Sequence, residues 1–160
     1  MCTQDAVTHA IHVMIPRVVS MCDDGLNVQS IERPPGLRLP DLAFTFEVSR
    51  DEEYVHLRMA SEERHFDMGA RTHNYLLLTL ARRRLADATA RLRDSSCGWV
   101  YQDEFEHDPT MASPQLNLHI FRIRRHFVRR GVVDGEGIVE RRPQTRQLRI
   151  GSARISIVMV

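Results

Sequence analysis

The chain has 160 residues, 42% of them hydrophobic and 27% charged, with a net charge of +1. That length allows one domain with a real core plus an arm, and no apolar run approaches the roughly 18 residues needed to span a bilayer. Cys2, Cys22 and Cys97 lie far apart with no CxxC, so neither a disulfide framework nor a zinc site is expected, and no cofactor is implied. The opening MCTQDAVTHAIHVMIP lacks the basic start and clean apolar stretch of a signal peptide, which predicts a cytoplasmic protein.

The near-neutral charge hides an asymmetry. All 22 basic residues are arginine. Residues 41–71 hold eight acids against four arginines, whereas residues 115–151 hold nine arginines against three acids. The C-terminal half is therefore the basic half.

In chain order, residues 1–40 read as an arm and linker, partly disordered. They carry an apolar patch from Ile11 to Val19, broken by Pro16, and then the proline-rich IERPPGLRLP. The domain is expected over 41–160. Phe44, Phe46 and Val48 alternate with Thr45 and Glu47, and EYVHLRM repeats the alternation after a polar turn, SRDEE. RHFDMG reads as a third short strand ending at Gly69, giving a small antiparallel sheet of three or four strands. A helix follows, with Thr72 as its N-cap and Leu77, Leu80, Ala81 and Leu85 at helical spacing. Arg82, Arg83 and Arg84 read as a solvated face. RDSSCGW is a loop, Val100 a strand fragment, and QDEFEHD at most two turns of helix with Phe105 inward.

Ser113 and Pro114 open the next helix, as N-cap and first helical residue. Wound at about 100° per residue from Leu116, the residues Ile120, Ile123 and Phe127 fall within about 40° of it, forming a core stripe. Leu118, Arg122, Arg125 and Arg129 lie together on the opposite side, with His119 and His126 flanking. No acid occurs between Pro114 and Val133, so these arginines lack local i,i+4 partners. Leu118 among arginines suits a thymine methyl group, and Arg122 suits guanine O6 and N7; Arg129 suits a phosphate. Gly131 stops the helix. GIVERRPQTRQLRIG then reads as a hairpin whose tip carries Arg141, Arg142 and Arg146, placed to touch phosphates or enter a minor groove. RISIVMV is expected to add one more strand.

Sheet, helix, short helix, basic helix and basic hairpin together make an α+β winged helix-turn-helix: a small N-terminal antiparallel sheet, three helices and a C-terminal β-hairpin wing. The segment LNLHIFRIRRHF resembles the recognition-helix pattern of the OmpR/PhoB-type domains, the DNA-binding effectors of bacterial response regulators. YLLLTLA resembles that family's first helix and GWVYQDEF the entry to its second, so the likeness runs over 42–151. The resemblance implies that Leu118, His119 and Arg122 face bases, Arg125 meets phosphate, Tyr101 and Gln102 touch backbone, and Arg142 and Arg146 act from the wing. Asn117 stands where the family has an acid, Phe121 where it has a polar residue, and Thr145 to Leu148 replace its glycine-containing wing turn. Residues 1–41 are too few for a receiver domain, so an effector domain without one is implied.

No GxSxG, HExxH or phosphate-cradling glycine loop is present, and the histidines are scattered, so no enzyme is expected. The expected partner is double-stranded DNA, with a homodimer or a regulatory partner chain compatible with it and no membrane. The competing expectation is a winged-helix protein-interaction module with Leu118 and Phe121 as hydrophobic anchors.

Overall fold

The computed structural model describes residues 36–160. Residues 1–35 of the arm expected over residues 1–40 lie outside the described residues. Residues 36–40 belong to the packed unit. Leu37 forms a parallel bridge with Val132, and the buried Leu39 donates its N–H to Asp134 Oδ1 at 2.9 Å.

The alternating segments form strands β1 (Ala43–Val48) and β2 (Val55–Ala60). Their inward residues meet in antiparallel register: Phe44 opposite Met59, Phe46 opposite Leu57, Val48 opposite Val55. Period-two patterning with one face buried pins this register, since a one-residue slip would turn the phenylalanines to water. Strand β3 (His65–Ala70) pairs antiparallel with β2 through a bulge at Leu57 and Arg58. Helix α1 (Asn74–Thr89) buries Leu76, Leu77, Leu80 and Ala81. It starts two residues beyond the expected cap, Thr72, and is tied to the sheet by Asn74. That buried amide donates to Val55 O at 3.1 Å and Gly69 O at 2.9 Å. Asn74→Leu would strand both carbonyls and is expected to cost about 1–3 kcal/mol. A urea midpoint equal to wild type would remove this role.

The arginine triplet on α1 is not one solvated face. Arg82 makes a two-pronged pair with Glu52, and Arg83 pairs with Asp87. Arg84 is buried, donating to Ile150 O at 2.7 Å and Asp94 Oδ1 at 2.6 Å.

After α1 come β4 (Val100–Tyr101), helix α2 (Ser113–Arg129), and the hairpin strands β5 (Val139–Arg142) and β6 (Gln147–Ile150). β6 is central in a three-stranded antiparallel sheet ordered β4-β6-β5. Strand β7 (Ile155–Met159) returns to the first sheet, which is ordered β3-β2-β1-β7. It runs parallel to β1, with Phe44 opposite Ile155. A parallel neighbour requires a long crossover, and here α1, α2 and the second sheet supply it.

Two expectations are corrected. The first sheet is not purely antiparallel, because β7 joins it parallel. The three-helix arrangement is not found either: the described residues form an α+β unit with two α-helices and two sheets. Where a second helix was expected, residues 102–105 make one 3-10 turn that buries Phe105. The cause is local. Glu104 Oε1 accepts the Tyr101 N–H at 3.1 Å, a capping-box bond that starts the turn, but the turn is not carried on into a helix. Pro109 disfavours helical backbone at Asp108, and Asp108 Oδ1 instead accepts the Thr110 N–H and hydroxyl at 2.8 and 2.7 Å. Without that helix there is no helix-turn-helix pair.

No helix among the described residues is long and apolar enough to cross a membrane.

Candidate nucleic-acid interface

Helix α2 is two-sided. Leu116, Ile120, Ile123 and Phe127 are buried, as the 3.6-residue period predicts. The Phe127 ring meets Phe44 of β1 at 5.7 Å between centroids, joining the helix to the four-stranded sheet. Just past the C-terminal end of the helix stands Gly131, whose φ of +84° favours glycine. The chain turns back there, with the Val132 N–H donating to Phe127 O at 3.2 Å.

The outer face carries Leu118 (44% exposed), Phe121 (57% exposed), Arg122, Arg125 and Arg129. Among the described residues, none of these three arginines forms an ion pair or a side-chain hydrogen bond; the arginines that do are Arg58, Arg82, Arg83, Arg84, Arg124, Arg141, Arg142, Arg146, Arg149 and Arg154. Arg125 sits 6.0 Å from the centre of the Phe121 ring.

Grooves flank this ridge. One, of about 430 Å³, lies toward the hairpin and is lined by Asn117, Phe121, Arg124, Arg125, Glu136 and Arg141. Arg141 donates to Asn117 Oδ1 at 2.9 Å, and burial together with the nearby Arg124 guanidinium lowers its pKa. The other, of about 320 Å³, lies toward the β3–α1 junction and is lined by Arg71, His73, Leu118, Arg122, His126 and Arg129, with Phe121 and Arg125 on the shared ridge. The His73 and His126 rings meet edge to face, 6.0 Å apart.

Five expected contact residues, His119, Arg142, Arg146, Tyr101 and Gln102, line neither groove. His119 is only 5% exposed, and its Nε2 lies 3.1 Å from Thr110 O. At about 300° from Leu116 on the helical wheel it borders the core stripe, not the arginine side. Arg142 lies back over the Trp99 ring at 3.8 Å and donates to Ser95 O at 2.7 Å. Arg146, at φ +52°, stands 3.7 Å from Asp103 and 3.8 Å from Glu106. Exposed pairs this long hold the side chain weakly. Tyr101 is exposed. Gln102 is half-buried, with its N–H donating to Arg146 O at 2.9 Å.

The sequence reading missed Arg71, His73, Asn117, Arg124 and Val128. Asn117, Arg124 and Val128 follow from the same helical wheel once the hairpin is placed beside α2. Arg71 and His73 carry no local signal, because their nearness to α2 is a product of tertiary packing.

No protein-family model matches this chain, and neither a characterised protein nor a solved structure was found to be similar to it.

Proposed function

We propose that the chain binds double-stranded DNA, with α2 laid into the major groove and Arg141 of the hairpin beside it, as in a bacterial transcriptional regulator acting in the cytoplasm. The observation that carries this reading is the exposed triad Arg122, Arg125 and Arg129 without a carboxylate partner among the described residues. Like charges at i,i+3 and i,i+4 destabilise a helix that faces only water, whereas a duplex supplies the missing anions. The likeness of residues 116–125 to the OmpR/PhoB recognition-helix pattern supports the same reading. Leu118 and Phe121 give this face its apolar contacts, toward a thymine methyl group or between sugar and base. A homodimer would double the short site that one helix reads.

Exposed Leu118, Phe121 and Val128 on one ridge favour a second reading, a protein partner anchored on those side chains. Salt separates the two. For DNA, log affinity falls with log salt by about 0.9 per phosphate neutralised, and a hydrophobic anchor gives little slope. Fluorescence anisotropy of a random duplex over a salt series is expected to give a steep slope for the full chain. Arg129→Ala is expected to lower affinity on all sequences alike and flatten that slope by about one unit. A wild-type slope near zero would exclude DNA.

A further inference from the structure

The groove beside the β3–α1 junction is more specialised than the ridge it borders. Arg71, Arg122, Arg125 and Arg129 surround it, His73 and His126 lie between them, and no carboxylate lines it. Four guanidiniums around one concavity repel each other unless an anion sits among them. The planar fork of arginine matches the oxygens of a phosphate group, which accepts several such forks at once.

A second observation points the same way. His73 Nε2 is buried and has no hydrogen-bond partner among the described residues. A buried polar atom left unpaired costs free energy that a ligand oxygen can recover.

We propose that this groove is a phosphate-binding subsite, in which Arg71 closes on the group from the side opposite Arg122 and Arg129, and His73 and His126 supply the remaining donors. The inference rests on the proposed duplex-facing role of α2 and adds to it a residue from another element. Arg71 makes the site a clamp across the helix rather than a charged helix face.

The imidazoles make the clamp sensitive to pH. His73 is held down at about 4, first by burial and then by the charges of His126, His119, Arg71 and Arg122. His126 is lowered by burial and by Arg130, Arg71 and Arg129. The groups that act on the two rings are thus cationic or neutral, and both rings are uncharged near neutrality. A phosphate between them reverses the field and raises both pKa values. Binding therefore takes up protons, and affinity rises as pH falls toward the unliganded values.

The test uses the full chain and Arg71→Ala, an exposed junction residue whose loss leaves the core intact. Duplex affinity is measured over a salt series at about pH 7.5 and about pH 5.5, with pyrophosphate titrated separately at each pH. For a phosphodiester ligand, wild-type affinity rises severalfold at the lower pH. Arg71→Ala flattens the salt slope by about one unit and weakens the pH response. The imidazole proton resonances of His73 and His126 shift toward the protonated form on adding duplex but not millimolar pyrophosphate. Shifts with pyrophosphate and no duplex binding support the subsite with a small phosphate as its ligand and overturn the DNA reading. A steep wild-type slope left unchanged by Arg71→Ala, with both histidine resonances unmoved, overturns the subsite and leaves the DNA reading standing. No response to either ligand overturns both.

Discussion

Phe127→Ala is expected to lower folding stability by about 3–5 kcal/mol, the range for emptying a phenylalanine-sized site in a packed core. Phe127 is buried in the last turn of α2. Its ring meets Phe44 of β1, so it joins the basic helix to the four-stranded sheet. Gly135 packs against the helix backbone here: a Cβ on it would come within 3.0 Å of the Phe127 Cβ and the Val128 N. Phe121→Ala is the internal control. It removes the same ring from the same helix at a position 57% exposed, and its effect should stay within about 0.5 kcal/mol. Urea denaturation of the two variants decides the orientation of α2. A large loss for Phe121 and none for Phe127 would mean that the helix presents its other side to the core.

What the sequence disclosed about this fold follows the range of each interaction. The core stripe of α2 was readable because Leu116, Ile120, Ile123 and Phe127 recur at the spacing of the helix itself. The strands carrying Phe44, Phe46, Leu57 and Met59 were readable for the same reason at period two. The hairpin strands and β7 were also visible as strands. Which strand β7 would join was not, because a parallel partner is chosen by the crossover and not by any residue in RISIVMV. QDEFEHD has helical composition, so the sequence alone predicts a second helix there. Pro109 and the Asp108 carboxylate, which accepts the Thr110 N–H and hydroxyl, end the turn instead, and this local competition favours turns.

The hairpin arginines illustrate the limit for a site. Arg142 and Arg146 look as free in sequence as Arg122 and Arg125. Their partners Trp99, Asp103 and Glu106 lie roughly forty residues upstream, brought close by the pairing of β4 with β6. An unpartnered arginine is therefore a tertiary fact. The absence of acids between Pro114 and Val133 hinted at it for α2 only because a helix restricts which neighbours can reach its outer face. Arg71 shows the converse. It stands in a neutral-looking junction, RTHN, and lines the basic groove only because α1 begins beside α2.

Reversing two charges on the ridge, Arg122→Glu with Arg125→Glu, is expected to reduce duplex affinity by more than about a hundredfold at low salt. Losing each arginine contact costs about 1–3 kcal/mol, and each introduced carboxylate adds repulsion from the phosphates. At about 1.4 kcal/mol per tenfold, a hundredfold is about 2.8 kcal/mol, which two mid-range losses of about 2 kcal/mol each exceed before the repulsion is added. Folding should not follow binding downward. Both arginines are exposed and give up no ion pair, and a glutamate at position 125 stands four residues before Arg129. That order of charges contributes about 0.2–0.5 kcal/mol to a helix. A thermal midpoint equal to or above wild type, together with collapsed duplex binding, is thus the expected pair of results. It would mean that the uncompensated cationic face is held against a small cost in helix stability, a cost that only an anionic partner offsets. Arg122→Ala alone should give a milder loss and a relaxed preference at one base pair. Retained affinity in the double variant, with binding lost instead in Leu118→Ala or Phe121→Ala, would transfer the ridge from DNA to a protein partner.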